Sequence, residues 1–286
     1  MSDPIWSTPL QFERVAVMGG GSGIGRATAL ELARAGVNVY VVGRRAKALE
    51  ETRKLGDGLP GRIVALPCDL LNPDATDAAF TAMEEDGGPV RALVHAAAAP
   101  TIQIASEIDH KSFAATINTT LFLGFNAIKR WSKPLVAADY TGQEPLPASA
   151  VIITSAVCSR GGPGVAHSSA GKAGLESFAR ACAREWGQYG IRINIVGPGV
   201  FPVEKSVELW SDPEVRAHAT GMTVFNRLGE VPEIVAPIMF FLTSGAGFTT
   251  GQTIIADGGA GLVPWGFNPD ALKRGLNNQF EVVEQH

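Results

Sequence analysis

The run Gly19-Gly20-Gly21-Ser22-Gly23-Ile24-Gly25 follows a short apolar segment and leads at once into an amphipathic one. Glycine-rich backbone between strand and helix turns sharply and comes close to a phosphate, while the helix start offers free N–H groups and positive dipole. Gly19, Gly21, Ser22, Gly23, Ile24 and Gly25 are therefore expected to cradle the diphosphate of a dinucleotide. Sites that take NAD(H) place a carboxylate about 20 residues further on, where it accepts from the ribose 2′-hydroxyl. This chain has Gly43-Arg44-Arg45 there, with two guanidinium groups and no acid. Arg44 and Arg45 suit a 2′-phosphate, which favours NADP(H) over NAD(H); the alternative is that both are the solvated start of the next helix. Asp69 and Leu70 close a third apolar run. Because Asn72 already supplies a helix cap, the Asp69 carboxylate is expected to accept from an adenine amino group, with Leu70 beside it.

Other chemistries find little material. Cys68, Cys158 and Cys182 form no C-x-x-C pair, and the 5 histidines show no H-x-x-x-H spacing, so no metal site is expected. The 24 Lys+Arg against 28 Asp+Glu give a net charge of −4, which argues against nucleic acid or an anionic membrane as a partner. No apolar stretch approaches the roughly 18 residues that span a bilayer. Met1-Ser2-Asp3-Pro4 does not start a secretory signal, and three unpaired-looking cysteines suit a reducing compartment. A soluble cytoplasmic protein is expected.

The elements that must position these residues are legible in the hydropathy pattern. Short runs at Val15–Met18, Val37–Val42, Ile63–Leu66, Val90–Val94, Val151–Ile153, Ile191–Val196 and Thr253–Ile255 suit strands buried on both faces. Between them, amphipathic segments predict helices at Gly25–Ala35, Ala46–Leu55, Asp74–Glu85, Lys111–Ser132, Ser169–Tyr189 and Pro232–Thr243, with Pro134 ending the fourth. The alternation predicts an α/β fold: a Rossmann-like, doubly wound parallel sheet of seven strands in a single domain. With 286 residues, 45% of them hydrophobic, one large core is affordable. Within the domain, 11–259 forms the nucleotide-binding core, 200–225 a candidate lid and 260–286 a C-terminal tail with Trp265 and a helical pattern at 268–285.

Over nearly its whole length the chain resembles the short-chain dehydrogenase/reductase family. The family's T-G-x-x-x-G-x-G turn is similar to Met18–Gly25, with Met18 in the threonine position, and its N-N-A-G segment to His95-Ala96-Ala97-Ala98. The resemblance implies that Ala96 lets a cofactor ring lie close. It makes Asn118 the asparagine that bends the long helix and anchors a proton-relay water, and Ser155 the serine at the end of the fifth strand. The Y-x-x-x-K pair resembles Ser168-Ser169-Ala170-Gly171-Lys172: the lysine is kept, the tyrosine is not. Pro198 and Gly199 match a family pair, and the backbone following them, at Val200, is implied to hold the nicotinamide carboxamide. Val203 stands where a threonine often touches the pyrophosphate. A homo-oligomer, tetramer or dimer, is implied through the helices 111–132 and 169–189.

The missing phenol bears on the reaction. Reducing an isolated carbonyl concentrates negative charge on one oxygen and needs an acid there, and a serine hydroxyl is a far weaker acid than a phenol. Hydride addition to a conjugated C=C spreads the charge over an enolate, which hydrogen-bond donors can stabilise. The 2,4-dienoyl-CoA reductases of this family carry S-x-x-x-K, and Ser168–Phe178, Glu185–Arg192 and Asp257-Gly258-Gly259 are similar to theirs; their second tyrosine falls near Val157. Asn118, Ser155, Ser168 and Lys172 are thus the expected catalytic set, in an NADPH-dependent reductase of an unsaturated acyl thioester, such as a CoA thioester, or an enone. Two alternatives stay open. One is carbonyl/alcohol oxidoreduction with a substitute acid such as His167; the other is a non-redox isomerase, lyase or nucleotide-binding protein on the same fold.

Overall fold

Val15 and Val17 face one side of the first strand, Ala16 and Met18 the other, and all four are buried. That double burial recurs along the sheet and requires helices on both of its faces. The computed structural model describes residues 10–98, 102–137, 147–204 and 210–262. Its strands are β1 (Arg14–Met18), β2 (Asn38–Gly43), β3 (Ile63–Pro67), β4 (Ala92–His95), β5 (Ala148–Ile153), β6 (Ile191–Pro198) and β7 (Thr253–Ala256). All pairs are parallel, in the order β3-β2-β1-β4-β5-β6-β7. The chain thus starts in the middle, winds outward to β3, then crosses to β4 and winds the other way. The reversal between β1 and β4 opens a crevice at the carboxyl ends of the strands, where doubly wound folds bind ligands.

One face carries α1 (Gly23–Arg34), α2 (Ala46–Leu55) and, from late in the chain, Val231–Phe241. The other carries α3 (Pro73–Glu85), the long helix α4 (His110–Ile117) continuing into α5 (Leu123–Ala137), and α6 (Ala166–Trp186). Asn72 caps α3 as the sequence predicts, accepting from the N–H groups of Asp74 and Ala75 at 3.0 and 3.1 Å. Between α4 and α5 the helix widens into a π turn over Asn118–Phe122, closed by the Leu123 N–H donating to the Asn118 carbonyl. Side chains such as Trp131, Phe80 and Met83 are almost wholly buried against the sheet, each contributing on the order of 1.5–3 kcal/mol.

One expectation needs correction. Pro134 does not end the long helix; α5 runs through it to Ala137. Near the helix end the missing N–H costs one backbone bond, and Leu135 and Val136 pack against the core beyond it. The segment 200–225, read in the sequence only as a candidate lid, contains α7 (Pro213–Gly221), leaving Val231–Phe241 as α8. Asp212 caps α7, accepting from Glu214 and Val215 N–H at 2.9 and 3.0 Å. Residues 263–286, with Trp265 and the helical pattern at 268–285, lie outside the described residues, as does most of the loop 140–150.

Candidate active site

The crevice between β1 and β4 is shaped by glycines that admit no side chain. A Cβ on Gly25 would lie 2.4 Å from the Gly19 carbonyl oxygen, and one on Gly19 would lie 2.7 Å from the Ala97 nitrogen. The result is a cavity of about 330 Å³ lined by Gly19, Gly21, Ser22, Arg44, Arg45, Leu70 and Ala96, among others. Cys68, Ala48, Leu49 and Leu123 complete the wall, and sequence reasoning did not select them. Apolar wall positions carry no motif; only the packing of α2 and α5 reveals them.

Arg45 donates to the Ser22 hydroxyl at 2.9 Å, so one of the two cations stands beside the glycine turn. Among the described residues, no carboxylate pairs with Arg44 or Arg45. Two unpaired guanidinium groups at the rim, a close-backed glycine cradle and the N-terminus of α1 fit a phosphorylated dinucleotide. Asp69 is exposed and does not line this cavity; its carboxylate accepts from the Leu71 N–H at 3.1 Å.

His95, at the end of β4, is 1% exposed, and neither ring nitrogen has a well-formed hydrogen bond among the described residues. Burial drops its pKa from 6.5 to about 4, the Ala97 backbone offsetting a part. The unfolded chain therefore takes up a proton that the folded chain refuses. Stability is expected to fall as pH drops from 6.5 to about 4, with a contribution of roughly 3 kcal/mol from this one group. Denaturant melts at pH 7 and pH 4 check it: His95→Leu should lose measurably less stability than wild type over that interval.

The remaining site residues gather where β5, β6 and α6 meet. Ser155 follows β5 and is half-buried; the Ala156 N–H donates to the Pro198 carbonyl at 2.8 Å, tying this turn to the end of β6. The turn tightens through the Cys158 N–H, which donates to the Ser155 carbonyl at 3.1 Å. It is then tethered across the sheet edge by Arg160, 3.2 Å from Asp257, whose carboxylate also accepts from Gly259 and Gly261. Gly199 N–H donates to Ala256 at 2.8 Å, and the Val200 carbonyl accepts from Gly229 at 3.0 Å. Val200 lines a separate cavity of about 310 Å³ with Phe201, Thr223 and Arg227.

Helix α6 brings Ser168 and Lys172 to the same region, one turn apart. Gly171 lets it press against the π turn, since a Cβ there would come within 1.9 Å of the Thr120 hydroxyl. Asn118 begins that turn and is exposed, while Ser168 is buried at 4%. Burial pulls the Lys172 ammonium below the ordinary lysine range, with the neighbouring Cys158 thiol acting in the other direction. Glu176, one turn further, is engaged by Arg180 and by the Thr253 hydroxyl at 2.8 Å. Cys158, which the sequence reading left unassigned, is half-buried beside Lys172; burial pushes its thiol up, reinforced by the Glu176 charge. The structure therefore sets Cys158 beside Lys172, with Ser155 in the same turn as Cys158 and Ser168 one helical turn from the lysine, while Asn118 opens the π turn that α6 presses against.

Known proteins share the sequence pattern and fold of this chain. A family profile described as Enoyl-(Acyl carrier protein) reductase matches residues 19–261. The chain is 32% identical to a probable 2,4-dienoyl-CoA reductase [(2E)-enoyl-CoA-producing] of Bacillus subtilis, over 90% of this chain and 100% of that one. It is 30% identical to the 3-oxoacyl-[acyl-carrier-protein] reductase MabA of Mycobacterium tuberculosis, over 89% and 95%. A crystallised short-chain type dehydrogenase/reductase from Mycobacterium ulcerans superposes with a TM-score of 0.83 at 27% identity, covering 89% and 91%.

Proposed function

The chain belongs to the short-chain dehydrogenase/reductase family of oxidoreductases, and on that footing we propose that it is an NADPH-dependent reductase of a conjugated C=C, in an unsaturated acyl thioester or an enone. The observation that carries this reading is a retained, enclosed lysine with, among the described residues, no phenol beside it. Tyr40 lies on β2 and donates to Asp86 at 2.9 Å, and Tyr189 lies beyond the far end of α6 from Lys172. Tyr140 lies outside the described residues. His167, the substitute acid for carbonyl chemistry, is 0% exposed and so does not open onto the crevice.

When bound, a reduced nicotinamide supplies the hydride. Ser155, half-buried at the carboxyl edge of the sheet, donates its hydroxyl to the thioester or enone oxygen. Asn118 is the second donor in this reading. Preorganised donors of this kind contribute about 2.7–4 kcal/mol each where negative charge develops. That suffices when the charge is shared with a conjugated system. Lys172 holds the nicotinamide ribose and keeps a positive charge near the developing enolate, and water protonates carbon. Ser168 takes the place of the absent phenol without supplying its acidity.

Arg44 and Arg45 support NADP(H) over NAD(H), through the 2′-phosphate they would bind, and Leu70 borders the adenine end, with Asp69 outside the cavity. Pro198, Gly199 and Val200 hold the carboxamide in the same reading. A homo-oligomer built on α5 and α6 is part of it; Phe122 is 46% exposed there, and the Phe125 and Phe178 rings meet at 5.4 Å across the two helices. Among the described residues, no helix is long and apolar enough to cross a membrane.

The test is turnover of NADPH and NADH by purified protein with dienoyl-CoAs, enoyl-CoAs, enones and ketones. Oxidation of NADPH with conjugated substrates, faster than NADH, is the expected result. Turnover of unconjugated ketones alone overturns the assignment.

A further inference from the structure

Glu204 places a carboxylate on the glycine turn. Its Oε2 accepts from the Gly23 N–H at 2.8 Å and its Oε1 from Arg26 Nη1 at 3.2 Å. Gly23 N–H is one of the first-turn amides of α1 that no intrahelical carbonyl can satisfy. The neighbouring Val203 covers the same residue, 3.5 Å from where a Cβ on Gly23 would stand. Arg26 is fixed independently, donating to the Gly21 carbonyl at 2.7 Å and the Thr52 hydroxyl at 3.0 Å. It is a post to which the carboxylate ties itself. Although burial alone would raise it, the Gly23 N–H and Arg26 bring the Glu204 carboxyl below the ordinary glutamate value, so the group is an anion at neutral pH.

We propose that Glu204 is a built-in anion that a dinucleotide's diphosphate must displace from the glycine turn, so that this residue sets cofactor affinity and couples cofactor entry to release of the strap 198–204. The inference rests on the cofactor reading above. Two anions cannot share one amide: like charges within about 4–6 Å disfavour one another strongly. Glu204 is the one that yields. Its side chain is 54% exposed, and an ion pair that open is worth only about 0–1 kcal/mol. A ligand with two phosphate groups and an adenosine already seated beside Arg45 outcompetes it. The strap is pinned at its other end by the Gly229 N–H on the Val200 carbonyl at 3.0 Å. Release at Glu204 therefore frees the Pro202–Glu204 end of the strap, Phe201 being packed against Gly229 and the core.

Calorimetric titration of the intact protein tests this, with NADPH as the diphosphate-bearing probe and adenosine 2′-monophosphate as the probe lacking it. Glu204→Gln keeps the shape and removes the charge. It is expected to bind NADPH up to about fivefold more tightly, since apparent affinity is reduced by the fraction of molecules held closed. Adenosine 2′-monophosphate should bind both proteins alike, and Glu204→Ala should reproduce the NADPH gain. Equal or weaker NADPH binding by Glu204→Gln, with wild type binding normally, overturns the inference and leaves the cofactor reading standing. Failure of wild type to bind NADPH overturns both.

Discussion

Lys172→Met is expected to lower turnover with conjugated substrates by roughly a thousandfold, within the range spanned by loss of an essential charged group in proton and charge management. The lysine sits on α6 where burial disfavours its charged form, and among the described residues no carboxylate pairs with it. The pH dependence carries its own sign. In the proposed mechanism the ammonium is the working form, so activity is expected to fall as pH rises through the Lys172 pKa. Because burial lowers that pKa, the alkaline limb of kcat/KM should come below the 10.5 of an ordinary lysine. Lys172→Arg keeps the charge at every accessible pH. Whatever activity it retains should show no such limb, and a limb that persisted unchanged would assign the titration to another group.

Gly25→Val should abolish measurable cofactor binding, weakening NADPH by at least about a hundredfold, or roughly 2.7 kcal/mol. The reason is collision of backbone with backbone. A Cβ at 25 would stand 2.4 Å from the Gly19 oxygen, and neither atom belongs to a flexible side chain that could step aside. Helix and turn must separate, which withdraws the first-turn N–H groups from the cradle. Gly187→Ala is the matching control. That position has an ordinary helical φ of −56° and nothing within 4 Å of an added Cβ. It should bind NADPH like wild type, measured by fluorescence titration alongside a melting curve for each variant.

The sheet was readable because its signal is local: strands buried on both faces are mostly apolar, and the runs in β1 through β6 stand out even where Ser149, Arg192 or Asn194 interrupts them. The glycine turn was readable because close approach leaves glycine no substitute. The helix α7 was missed although Asp212-Pro213 repeats the cap signal of Asn72-Pro73, since the residues after it lack a clear apolar stripe. Pro134 misled because a proline near a helix end loses little when the next two side chains are packed. In the candidate site, the proposed residues that match motifs were selected by their position along the chain. Cys158 and Glu204 were not, because their importance lies in what the fold sets opposite them. Lys172 is fourteen residues from Cys158, and Gly23 is 181 residues from Glu204. Nothing along the chain announces such meetings.

The widened turn at Asn118–Phe122 has an effect on all that follows it. An α-helix advances about 100° per residue, and the extra residue carried in that turn shifts the azimuth of α5 relative to α4 by about that amount. Upstream, only Thr116 of α4 is buried and the helix looks toward α6; downstream, Leu123, Ala127 and Trp131 line up against the sheet. One rod thus serves two clients at different compass bearings. Removing a single residue from the swelling would restore a regular spiral and swing Trp131 out of its socket into water.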